Sequence, residues 1–288
     1  MPRYNARVSD DLLGAAIQYL EELKARGVRT VRVSPETLAG LATPAARIQV
    51  PLPASFAPPA PAPVPSLPAQ SVCRDTPVLT GDARLQAIAD LRARVMGCVK
   101  CAHLVSSRTN VVFGVGNVNA ELMFVGEAPG ADEDRQGEPF VGAAGQLLTR
   151  MIQAMGLTRD SVYIANILKC RPDTPGQAYG NRKPTPEEMQ TCISWLHEQI
   201  DIIRPKVLVG LGATAIEGLL GKTAGIMRLR GQWHTYRDIP LMPTYHPAFL
   251  LRNQAVSEKR KVWEDLLQVM ERLNLPITEK QRAYFLKG

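Results

Sequence analysis

The sequence is short of several things. It has no run of about 18 apolar residues, the length that crosses a bilayer, so no membrane span is expected. The first 27 residues carry charges through their apolar stretch, which argues against a signal peptide and points to the cytoplasm. Cysteine is scarce: five residues, at 73, 98, 101, 170 and 192. An odd number without an export signal argues against a disulfide framework. Acidic charge is outnumbered, 27 Asp and Glu against 34 Lys and Arg, and the net charge of +7 favours a polyanionic partner. From Lys222 to Lys261 there are eight Lys or Arg against two acids, Asp238 and Glu258. Alone, such a run reads as a solvated face.

The chain divides into three parts, 1–42, 43–80 and 81–288. In the first, Asp10 caps and Gly27 ends a helix over 10–26 whose stripe is Leu13, Ala16, Ile17, Leu20 and Leu23. Between Pro44 and Pro68 lie nine prolines and six alanines, a semi-extended spacer that cannot build a core. From about residue 82 apolar strands alternate with helices. Strands are predicted at 121–126, 161–168, 206–212 and 240–247, and helices at 145–156, 186–203, 213–221 and 259–273. That alternation predicts an α/β domain, a central, mostly parallel sheet sandwiched by helices. Ligands bind such sheets at the carboxyl ends of the strands. Three polar motifs fall there: GEAPG (126–130), Asn166 in YIANIL, and His246.

Cys98-x-x-Cys101 puts two thiolates on one turn, and Cys170 and Cys192 follow a strand and lie on a helix, so the four can converge. Structural zinc and a four-iron cluster both suit such a set, and spacing does not choose between them. Cys73 lies in the Pro-rich part and is the spare.

Six segments in this order, GEAPGADED (126–134), PFVGAAGQLL (139–148), YIANILKCRP (163–172), NRKPTPEE (181–188), Cys192 and HPAFLLR (246–252), resemble the iron–sulfur uracil-DNA glycosylases, family 4. The resemblance runs from about Cys98 to Leu273 and leaves the first 80 residues outside. It implies removal of uracil from DNA, the first step of base excision repair, after the nucleotide is flipped into a pocket. It implies one 4Fe-4S cluster on Cys98, Cys101, Cys170 and Cys192. Phe140 would stack on the base, Asn166 read its polar edge, and Glu133 exclude the methyl of thymine. His246 would donate to the uracil oxygen where negative charge builds. Glu127, Ala128 and Pro129 would border the attacking water, with Glu127 in a role that the sequence leaves open. Leu250 and Leu251 would wedge into the stack, and Arg252 would meet phosphate.

A cross-linking relative would need a histidine between Cys170 and Cys192, and this segment has none. A non-catalytic binding protein of the same fold would have lost Phe140, Asn166 or His246, and all three are present. A monomer is expected, working on uracil-containing DNA, single- or double-stranded, in a bacterial-type cytoplasm at the nucleoid. The N-terminal helix is too short to be stable alone and is expected to order on a protein partner.

Overall fold

The computed structural model describes residues 81–173, 181–221 and 225–286. The expected N-terminal helix, the Pro-rich spacer and Cys73 lie outside these residues, as do residues 174–180.

Six strands form one sheet: β1 (Val115–Gly116), β2 (Leu122–Gly126), β3 (Tyr163–Asn166), β4 (Val207–Leu211), β5 (His234–Tyr236) and β6 (Ile239–Thr244). Their order is β1-β3-β2-β4-β6-β5. The four central strands are parallel, and the edges β1 and β5 pair antiparallel. Ten helices complete the described chain: α1 (Gly81–Met96), α2 (Ala102–Ser107), α3 (Ala131–Gln136), α4 (Ala143–Ala154), α5 (Pro186–Ile203), α6 (Ala213–Leu220), α7 (Ile226–Leu229), α8 (Pro247–Arg252), α9 (Val256–Arg272) and α10 (Glu279–Arg282). The mostly parallel α/β sheet expected from the sequence is present.

β2 and β4 are buried at every position, because helices cover both faces of the sheet. Met123 and Val125 pack with α1 and α5 on one face, Leu122 and Phe124 with α4 and α9 on the other. Each fully buried Leu, Val or Phe stabilises the fold by about 1.5–3 kcal/mol. α5 begins at a reciprocal cap. Thr185 Oγ1 accepts from Glu188 N at 3.2 Å, Glu188 Oε2 accepts from Thr185 N at 2.8 Å, and Pro186 opens the first turn.

The order places β3 and β4 on opposite sides of β2, so the chain reverses direction across the sheet between β2 and β4. Loops leaving these two strands diverge and open a crevice at their carboxyl ends. Residues 127–129 and 212–213 line it.

Candidate active site

A cleft at this switch point is walled by Glu127, Ala128 and Pro129 on one side and by His246 and Arg252 on the other. Gly126 closes β2 beneath it. A side chain there would collide with Asn166 Oδ1 and come within 2.6 Å of Phe140 Cζ, so these two groups lie directly over the glycine backbone. Asn166 ends β3, is 2 % exposed, and its Oδ1 has no hydrogen-bond partner among the described residues. A buried amide oxygen left without a donor costs about 1–3 kcal/mol, so the site is built for something that brings one.

Phe140 stands at φ 56°, a left-handed conformation that bulky residues rarely adopt. Arg159 holds the carbonyls of Pro139 and Phe140 at 2.9 and 3.2 Å. Gly145, at the start of α4, lies against the Phe140 carbonyl with no room for a Cβ. The Phe140 ring stacks with that of His246, centroids 5.6 Å apart and planes 28° from parallel.

His246 caps α8: its Nδ1 accepts from Ala248 N at 3.1 Å. The ring proton therefore belongs on Nε2, which makes that nitrogen a donor. Burial, seconded by the Arg252 charge, pulls the pKa of His246 down to about 4, so the ring is neutral at pH 7. Burial also raises the Glu127 carboxyl above the usual carboxylate range, against a hydrogen bond with Thr214 and the charge of Lys183.

Other residues sit differently from expectation. Glu133 uses its carboxylate on the chain itself: Oε2 accepts from Gly130 N, and Oε1 from Val141 N and Gly142 N, each at 3.0 Å. It braces two loops and is not part of the cleft wall. Leu250 is no wedge. α8 turns it inward, where it is 5 % exposed and packs with Leu148, Val262 and Trp263. Leu251 is half-buried over a separate apolar hollow beside Leu147 and Arg150. The exposed apolar side chain on the cleft is Met227, 76 % accessible and followed by the exposed Arg228. No motif or periodicity singles it out.

The basic stretch is also less free than its composition suggests. Arg230 is paired with Asp265 at 2.6 Å, Arg237 with Asp201, Arg260 with Glu264, and Lys261 with Glu258. Arg228, Arg252 and Lys259 have no ion pair among the described residues. Arg182 and Asn181 also line the cleft, and Arg182 donates to Glu188 at 2.5 and 2.8 Å.

The four expected cysteines come together. Cys98 precedes α2, Cys101 caps it, Cys170 follows β3 and Cys192 lies on α5. All are free thiols, and together they line one apolar hollow with Val95, Leu104, Leu168 and Trp195. Two donors point at sulfur: Lys169 N reaches Cys192 Sγ at 3.3 Å, and Arg108 Nη1 reaches Cys170 Sγ at 3.1 Å. The other arm of Arg108 holds the Cys98 carbonyl at 2.9 Å. Burial pushes the Cys192 thiol up to about 11 and raises Cys101 and Cys170 as well. Among the described residues no three His, Cys, Asp or Glu side chains close on one ion-sized point. Four sulfurs around a shared apolar hollow, with N–H donors aimed at them, are a donor set that fits an iron–sulfur cluster.

The family model described as the uracil DNA glycosylase superfamily matches residues 113–267. A type-4 uracil-DNA glycosylase of Thermotoga maritima is 46 % identical over 178 residues, covering 60 % of this chain and 88 % of its own. That of Archaeoglobus fulgidus is 42 % identical over 193 residues, 62 % of this chain and 94 % of its own. That of Sulfurisphaera tokodaii is 40 % identical over 215 residues, 71 % of this chain and 92 % of its own. A type-5 enzyme of Pyrobaculum aerophilum is more distant, at 30 % over 216 residues. With its crevice at the β2–β4 switch point and its four converging cysteines, this chain belongs to the uracil-DNA glycosylase superfamily and, within it, to the type-4 family.

Proposed function

We propose that this protein hydrolyses the bond between uracil and deoxyribose in DNA, the first step of base excision repair. The observation that carries the reading is the unpartnered Asn166 Oδ1, buried over Gly126 beside the Phe140 ring. Uracil offers an N–H donor at N3 flanked by carbonyl acceptors. Asn166 takes that N–H on Oδ1 and donates from Nδ2 to the neighbouring carbonyl. Phe140 supplies the stacking face for the flipped ring.

Water attacks the sugar carbon C1′ as the C1′–N1 bond breaks, and the bonding pair leaves with the uracil ring. His246 Nε2–H donates to the uracil oxygen where that charge collects. One such preorganised donor is worth about 2.7–4 kcal/mol in a dry site. Glu127 holds the water, and the released proton passes through its carboxylate to solvent. Ala128 and Pro129 shape the lip, and Glu133 keeps the 130 and 141–142 loops in place against the C5 edge. Met227 takes the part assigned in sequence to Leu250 and Leu251, filling the stack where the base has left. Arg228 and Arg252 meet phosphates on either side of it.

The hollow among Cys98, Cys101, Cys170 and Cys192 holds one 4Fe-4S cluster. When bound it ties α1, α2, β3 and α5 together, as a structural metal centre does. Uracil excision belongs to residues 81–288, the catalytic domain, and residues 1–42, ahead of the linker 43–80, serve to dock another protein. The enzyme acts as a monomer in the cytoplasm, at the nucleoid. Among the described residues no helix is long and apolar enough to cross a membrane.

Purified protein incubated with single- and double-stranded oligonucleotides bearing one uracil, then treated with alkali, should break each strand at the uracil and leave thymine controls whole. No breakage would overturn the proposal. Iron and sulfide analysis should find four of each per chain, and zinc in their place would overturn the cluster.

A further inference from the structure

Lys169 lies between the two centres and is 1 % exposed. Its Nζ donates to the Asn166 carbonyl at 2.9 Å and to Gln199 Oε1 at 2.6 Å. Both acceptors are neutral, and among the described residues no carboxylate pairs with it. Gln199 is itself fully buried and fixed, donating to the Phe113 carbonyl at 2.9 Å and to the Tyr163 hydroxyl at 3.1 Å. A buried ammonium without an anion is costly, and proteins seldom keep one. The cysteine hollow borders it: Lys169 lines that hollow, its backbone N donates to Cys192 Sγ at 3.3 Å, and Cys170 is the next residue.

We infer that Lys169 is the counter-charge of an anionic iron–sulfur–thiolate centre, and that its bond to the Asn166 carbonyl carries the presence of that centre to the side chain that reads uracil. The inference rests on the cluster proposed above. Four thiolates on a cubane core of charge +2 leave a net charge of −2, so a lysine ammonium beside them offsets part of it. Its chemistry requires no electron transfer during excision. Lys169 acts as a positioning residue: the charge of the cluster holds the ammonium, and the ammonium holds the end of β3.

The test is Lys169→Met in the full-length protein, which keeps the length and apolar stem and removes the charge. The cluster should become harder to reduce, since removing a positive charge disfavours the added electron, as measured by voltammetry and by EPR-monitored titration. Iron should leave faster under a chelator, and single-turnover excision should slow by roughly 10–100-fold, the usual cost of losing a partner one shell out from a metal. DNA affinity should hold. Gln199→Glu is the second variant, for the case in which the first does not fold. It gives Lys169 a carboxylate of its own and should move the potential in the same direction with the lysine still present. If a folded Lys169→Met protein keeps the wild-type potential and iron retention, or if Gln199→Glu leaves the potential unmoved, the counter-charge is overturned and the cluster stands. Wild-type protein without iron would overturn both.

Discussion

Replacing His246 by Ala removes a neutral donor, and the structure sets both the size and the pH behaviour of the loss. Nδ1 is engaged as the cap of α8 at 3.1 Å from Ala248 N, so Nε2–H is the ring donor left for a ligand in the cleft that His246 lines. With a pKa of about 4, roughly one ring in a thousand is charged at pH 7 and about one in ten at pH 5. The donor that acts is therefore the same from pH 5.5 to 8. Single-turnover excision should fall by roughly 10²–10³-fold, with the wild-type and variant profiles parallel across that range. The same depressed pKa acts on stability. The folded ring resists a proton that the unfolded ring takes up near 6.5, so its contribution is complete above that pH and is lost as the pH falls toward 4. Between pH 7 and 5 the wild type should lose about 1–2 kcal/mol relative to His246→Gln in urea unfolding, after allowance for the part of the ring open to solvent. Near-normal excision by His246→Ala, or a wild-type rate that titrates near pH 6.5, would refute a neutral donor at this position.

Gly126→Ala should keep the fold and slow excision by roughly 10²-fold, because its methyl displaces Asn166 Oδ1 and the Phe140 ring; a rate within a factor of two of wild type would show that the base sits elsewhere. Arg252→Ala should make the slope of log affinity against log salt shallower by about 1, while Lys261→Ala, paired with Glu258 at 2.7 Å, should leave it unchanged. Met227→Ala should slow excision from duplex and spare single strands, since only a duplex has a stack to refill; equal losses on both substrates would remove Met227 from that role. Deleting residues 1–75 should leave iron content and excision on oligonucleotides intact, and loss of either would place the N-terminus in the catalytic fold.

Much of the fold could be read from local signals. LMFVG and VLVGL are apolar throughout, and Thr-Pro-Glu-Glu announces the start of α5 with a cap, a proline and a returning carboxylate. β1 and β5 are two and three residues long, too short to show a period, and went unpredicted. The four cysteines could be grouped because a CxxC pair, a cysteine after a strand and one on the next helix can meet at one point, while the preference for iron over zinc came from the resemblance alone. Leu250 and Leu251 look alike in sequence, and only the turn of α8 sends one of them into the core. The basic stretch misled for a different reason. Composition sums charge along the chain, whereas Arg230 meets Asp265 35 residues away and Arg237 meets Asp201 36 residues away. Lys169 was passed over because a lysine beside a cysteine gives no hint that it is buried.

The conformation of Phe140 has a consequence for speed. A bulky residue in the left-handed region costs on the order of 1–3 kcal/mol, and here Arg159, Glu133 and the bare face of Gly145 hold it there before any base arrives. That strain is met once, during folding. With Phe140 as the proposed stacking face, a base swinging out of the helix would meet a backbone already fixed in place, with no rearrangement left to wait for. On that proposal, excision would follow within an opening too brief for a pocket that had to assemble around its substrate.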